Sequence, residues 1–233
     1  MKRSIRWVCV LVALLVASGA LSRGPGSVAL AATDALDQSQ TQFTPTVGYT
    51  IGGGQAVAQT FTAGISGFLD RISLAVGAEG TPPSSLTVQI QTTRSGLPTG
   101  TVIGGASVPA SAMLVDAASF VDIPLSGRLP QSAQGTQYAI VLSCGACTSF
   151  FSAYFAAFAP LSTYSGGQAY ASQNGAAWGA VNSQLAFKTY VAQAPTRKVQ
   201  CKDGGWQNSI NPDTGKPFQN QGECVSWVEL HQQ

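Results

Sequence analysis

Ionisable side chains are scarce in this chain. Its 233 residues include 12 Lys and Arg, 10 Asp and Glu and one histidine, His231. A multi-histidine zinc site fails on that count alone. A Ser-His-Asp or Cys-His arrangement needs a base held rigidly against its nucleophile, and His231 lies where a solvated tail is expected. The acids that could form a glycosidase pair are Asp70, Glu79, Asp116 and Asp122. No spacing makes them converge across a cleft, so surface charge is the expected role and no catalytic residue is assigned. Cofactors are not expected either. A structural Ca²⁺ on Asp and backbone oxygens would suit a β architecture, but no EF-hand-like spacing is present.

Long apolar runs are also lacking, with one exception. Trp7 to Ala20 is uncharged, follows Lys2, Arg3 and Arg6, and gives way to Ala29-Leu30-Ala31, which fits a small-x-small cleavage rule. Residues 1–31 therefore read as a secretory signal peptide. The run is short for crossing ~30 Å of hydrocarbon, which disfavours a retained anchor. The mature chain is expected to be secreted or held at the cell surface, with no membrane segment of its own. Without Lys2, Arg3, Arg6 and Arg23, 8 basic residues face 10 acidic ones, a net charge of −2. That balance leaves no electrostatic footprint for nucleic acid.

Helical periodicity is missing as well, and alternation takes its place. Val57, Gln59 and Phe61 recur at period two, as do Ile72, Leu74 and Val76, then Leu86, Val88 and Ile90. Val121, Ile123 and Leu125 follow, then Tyr138, Ile140 and Leu142, and finally Leu185, Phe187, Thr189 and Val191. Each such segment offers one apolar face to a core and one polar face outward. Turn chemistry separates them at Thr81-Pro82-Pro83, Ser95-Gly96-Leu97-Pro98, Gly166-Gly167 and Asn174-Gly175, the last a strong hairpin signal. The spacing predicts an all-β fold, an antiparallel β-sandwich of jelly-roll type, over residues 56–192. Residues 32–55 read as a polar leader with one edge strand around Phe43 to Tyr49. The Ala/Ser-rich stretch from Ala106 to Ser119 would hold a short helix or a loop.

Residues 193–199 read as a linker, and 200–233 as a small module too short to bury a sufficient core unaided. With Cys9 in the signal peptide, Cys144, Cys147, Cys201 and Cys224 remain, and four cysteines allow three pairings. Exported proteins favour disulfides, and the local pairs, Cys144–Cys147 and Cys201–Cys224, are preferred here. Cys144-Gly145-Ala146-Cys147 has the spacing of a redox motif, but no βαβ frame surrounds it, so a structural bridge is expected.

Two stretches carry a resemblance. Gln59-Thr60-Phe61, Ser95 to Gly100, Gly135 to Leu142, Tyr164-Ser165-Gly166-Gly167, Asn174-Gly175 with Trp178, and Leu185 to Val191 resemble bacterial exported β-sandwich domains of choice-of-anchor-type surface proteins. Cys201-Lys202-Asp203-Gly204-Gly205-Trp206 with Asn220-Gln221-Gly222-Glu223-Cys224 is similar to a short C-terminal module built on Cys, Gly-Gly-Trp and Asn-Gln-Gly-x-Cys. Both resemblances imply structure and surface location, and neither implies a catalytic residue.

Binding is the chemistry left. Amphipathic rings gather in the second half of the sandwich, and sugars stack C–H faces on such rings while amides bond their hydroxyls. Tyr164, Tyr170 and Trp178, with Gln168 and Asn174, are the candidate ligand residues, and carbohydrate or a cell-surface polymer is the candidate partner. The expected protein is a non-enzymatic binding module. A purely structural or adhesive surface component is the alternative, and a glycoside hydrolase with an unrecognised carboxylate pair is the weaker one.

Overall fold

The computed structural model describes residues 35–125, 134–160, 164–173, 175, 177–192, 194–214 and 216–231. Residues 1–31, read above as a signal peptide, and Asn174 lie outside the described residues. Among those described, the strands of the sandwich form a seven-stranded and a six-stranded antiparallel sheet.

The six-stranded sheet runs in the order β11 (Ala177–Ala180), β10 (Ala169–Gln173), β3 (Gln55–Thr62), β8 (Gln137–Ser143), β5 (Leu86–Arg94) and β6 (Leu97–Val108). The facing sheet runs β1 (Ala35–Gln40), β13 (Phe187–Ala192), β4 (Phe68–Glu79), β9 (Ala153–Pro160) and β12 (Ser183–Leu185). To it β7 (Ser119–Pro124) adds against β4, and β2 (Gly48–Ile51) against β9. From β2 to β10 every connection except the β5–β6 hairpin crosses from one sheet to the other, as a jelly roll requires.

The alternation places the core between the sheets. Val57 and Phe61 of β3, Leu86, Val88 and Ile90 of β5, and Ile140 and Leu142 of β8 meet Ile72, Leu74 and Phe187 from the other side. Polar side chains share this interior, and Gln59 bonds across it. Gln59 is 0% exposed, and its Nε2 donates to the Gln184 Oε1 (2.7 Å) and the Thr60 carbonyl (3.0 Å). Its Oε1 accepts the Leu185 N–H at 2.9 Å. Gln59 thus ties β3 of one sheet to β12 of the other, with both ends of the amide satisfied, as burial of an amide demands.

The polar leader expected over residues 32–55 is corrected over its described part, residues 35–55, which contributes strands to the sandwich. β1 pairs with β13 through Ala35 to Gln40, and β2 pairs with β9 through Gly48 to Ile51. Local hydrogen bonding replaces missing hydrophobicity: Asp37 Oδ1 accepts the Gly64 and Ile65 N–H groups at 2.8 and 2.9 Å. Phe43, expected in an edge strand, instead sets its ring edge-on to Phe120 at 5.4 Å and covers the outer face of the seven-stranded sheet. The stretch from Ala106 holds the end of β6 and a single 3-10 turn at Ala110–Ala112.

Both expected disulfides are present, Cys144–Cys147 and Cys201–Cys224. The second staples the C-terminal appendage, where the two cysteines, Phe218 and Val228 are buried with Trp206 and Trp227 packed against them. Its helix α1 (Gln221–His231) starts at Asn220, whose Oδ1 accepts the Glu223 N–H at 2.9 Å. Glu223 also reaches back to accept the Gln219 N–H at 2.6 Å, which ties the residue before the cap to the first turn of the helix. None of the described helices is long and apolar enough to cross a membrane.

Candidate functional site

The outer face of the six-stranded sheet is read directly from strand register. Trp178 stands opposite Ser172, Ser172 opposite Ala56; Tyr170 opposite Ala58, Ala58 opposite Val141, and Val141 opposite Gln89. Thr60, Ala139 and Gln91 make the next row. All of these project away from the core, because their neighbours Val57, Ile140, Leu142 and Ile90 project into it. The central strands thus carry small residues, aromatic rings rise at the β10–β11 edge, and glutamine amides rise at the β5 side.

That distribution of size makes a groove. It has a volume of about 530 Å³, within the range of ligand sites. Its floor is Ala56, Val141 and Ser143, its aromatic wall is Trp178, and its opposite wall is Gln89, Gln91 and the Pro98-Thr99-Gly100 segment of β6. Gly54 from the β2–β3 turn, Gln55 at the start of β3 and Cys144-Gly145 close one end. The disulfide loop is moored there, since the Gly53 N–H donates to the Cys147 carbonyl at 2.7 Å.

The candidate residues separate. Trp178 is half-buried against the outer-face cluster of Ala58, Ala139 and Val141, and lines the groove. Tyr170 packs on the same cluster and reaches across the face toward the Ser95-Gly96 turn, where a side chain at Gly96 would come within 3.6 Å of its hydroxyl. It backs the groove without lining it. Tyr164 is elsewhere: its ring meets Phe187 edge-on at 5.2 Å, and its hydroxyl donates to Gln38 Oε1 at 3.2 Å. Burial, and after it the Asp37 charge, raises the Tyr164 hydroxyl above the ordinary tyrosine pKa, so it stays protonated and holds β1 to the core. Gln168 donates to the Val181 carbonyl at 2.6 Å and bridges the two ends of the β10–β11 hairpin.

The glutamines of the opposite wall were not among the candidates; the signal that could have found them is alternation, which puts Gln89 and Gln91 on one outward face. Their geometry is a relay. The Gly100 N–H donates to Gln91 Oε1 at 2.8 Å, and Gln91 Nε2 donates to Gln89 Oε1 at 2.8 Å. Gly100, at φ +82°, holds a left-handed conformation that favours glycine and aims this N–H.

The carboxylates sit apart from the groove. Asp122 pairs with Arg71 at 3.2 Å on the outer face of the other sheet, where the Arg71 guanidinium also lies 3.5 Å over the Tyr190 ring. Glu79 and Asp116 are close enough that Asp116 adds to the effect of burial in raising the Glu79 pKa. Neither lines the groove. Among the described residues no group of three or more His, Cys, Asp or Glu could hold a metal ion.

Fold and site together define a disulfide-bonded, all-β sandwich with an aromatic- and amide-walled groove on one outer sheet face. No family model and no curated protein matches the chain. Among solved structures it is similar to the cysteine protease and lectin-like domains of Cwp84, a surface layer associated protein of Clostridium difficile, with 12% sequence identity and a TM-score of 0.42. The match covers 60% of this chain and 32% of that one, so the chain spans about a third of that structure's length.

Proposed function

We propose that this chain is an exported, non-enzymatic binding protein that holds a carbohydrate or similar surface polymer in the groove of its six-stranded sheet. The observation that carries the reading is the pairing of an indole wall with an amide wall across a floor of small residues. Pyranose rings have an apolar C–H face and an edge of hydroxyls, and the two walls match those two surfaces. Export accounts for the N-terminal segment and is consistent with both disulfides. The kinship with exported choice-of-anchor-type sandwich domains belongs to the same proposal.

The test is polysaccharide pull-down and glycan-array binding with the full chain and its Trp178→Ala variant. Binding that weakens ten-fold or more, a loss of about 1.4 kcal/mol, with an unchanged far-UV spectrum supports the reading. Retention on no polysaccharide or cell-wall fraction overturns it. The purely structural alternative expects a flush polar outer face, and a groove of about 530 Å³ disfavours it.

A further inference from the structure

We infer that the groove takes an uncharged saccharide and discriminates against polymers that carry carboxylates, phosphates or ammonium groups. This rests on the binding reading above and narrows it to one ligand class.

The inference comes from the chemistry of the lining. Among the described residues that form the groove, none ionises: the polar groups are Gln55, Gln89, Gln91, Thr99 and Ser143, and the sole cysteine, Cys144, is in a disulfide. A charged group entering such a groove gives up hydration and meets no opposite charge, which costs far more than amide dipoles return. A neutral hydroxyl exchanges water for an amide at little net cost.

The relay through the β5 wall adds direction to this selectivity. The peptide N–H of Gly100 occupies Gln91 Oε1, so the Gln91 amide must turn its Nε2 toward Gln89. Gln89 Oε1 is therefore an acceptor already in use, and its Nε2, which bonds no described residue, is the group offered to the groove. Each link fixes the amide orientation of the next without a titratable group. The wall is a preset donor for hydroxyl or ring oxygens, standing across the floor from the Trp178 indole. Gln91 is a positioning residue in this arrangement. Gln91→Glu keeps the acceptor for Gly100 but removes the donor, which releases Gln89 to present its oxygen instead.

Affinity electrophoresis and titration calorimetry of the full chain provide the test, with laminarin and galactomannan as neutral probes and polygalacturonate, alginate and chitosan as charged ones. Measurements at about 50 and about 500 mM NaCl separate screened from unscreened contacts. The expected result is binding to a neutral probe that changes less than about two-fold with salt and weakens about ten-fold in both Gln89→Leu and Gln91→Glu. Charged probes should bind at least about ten times more weakly. A charged polymer that binds as tightly as the neutral ones, and is lost in Trp178→Ala, overturns this inference and leaves the groove reading standing. Failure of every polymer, or binding indifferent to Trp178→Ala, overturns both.

Discussion

Gln59 is the sharpest point at which the sandwich can be tested. It is wholly buried between the sheets, and Gln59→Leu keeps its size while deleting three hydrogen bonds. Two partners are then stranded in the interior: the Leu185 N–H and the Oε1 of Gln184, itself 8% exposed. Each buried group left unsatisfied costs about 1–3 kcal/mol. The gain from a buried leucine in place of an amide offsets part of that, for a net loss of about 2–3 kcal/mol. For a domain of this size the melting temperature should fall by about 5–10 °C. Calorimetry or a urea titration with unchanged m-value measures it. Gln59→Leu combined with Gln184→Leu removes one of the stranded groups, so the double variant should lose less than the sum of the singles by about 1 kcal/mol. A Gln59→Leu protein as stable as the parent would refute the inter-sheet clasp and, with it, the explanation for a glutamine in the period-two apolar face of β3.

Two further predictions concern charge and the appendage. Burial and then Asp116 raise the Glu79 pKa above its ordinary 4.5, so Glu79 favours the fold fully below the unfolded-state pKa and less as pH rises through the folded value. Glu79→Gln should therefore melt like the parent near pH 3 and above it at pH 7, and an equal difference at both would contradict the assignment. Cys201→Ala with Cys224→Ala opens a bridge of sequence separation 23, worth about 3 kcal/mol by loop-closure entropy. The near-UV signal of Trp206 and Trp227 should collapse while the sandwich melts as before, and an unaltered near-UV spectrum would show that Phe218 and Val228 suffice to hold the appendage.

The central strands were legible because large apolar side chains recur at every second position toward the core, while the outer face, though also covered in β3 and β8, carries mostly small or polar ones. Val57/Phe61, Leu86/Val88/Ile90 and Ile140/Leu142 all face the core as alternation requires. β9 was illegible because its two large side chains are adjacent and fall on opposite buried faces, Tyr154 in the core between the sheets and Phe155 in the outer cluster, so Ala-Tyr-Phe-Ala-Ala shows no alternation. β1 was missed because its anchors are polar, Asp37 to the Gly64 and Ile65 amides and Gln38 to Tyr164. At the site, Trp178 could be singled out from its place after a hairpin turn, whereas Tyr164 could not be told from a core ring. Its fate depends on Phe187 and Gln38, which are distant in sequence. Gln89 and Gln91 were missed: alternation places both outward, but their relay requires Gly100 from the next strand.

The claim on which the function depends is that ligand lies against Trp178 on the outer face of the six-stranded sheet. Hydroxyl-radical footprinting of the full chain, with and without saturating neutral polysaccharide, reads that contact directly. The account predicts that oxidation of Trp178 drops several-fold on binding while Trp206 and Trp227 in the appendage are unchanged. Undiminished oxidation of Trp178 in a demonstrably bound complex would place the ligand elsewhere and contradict it.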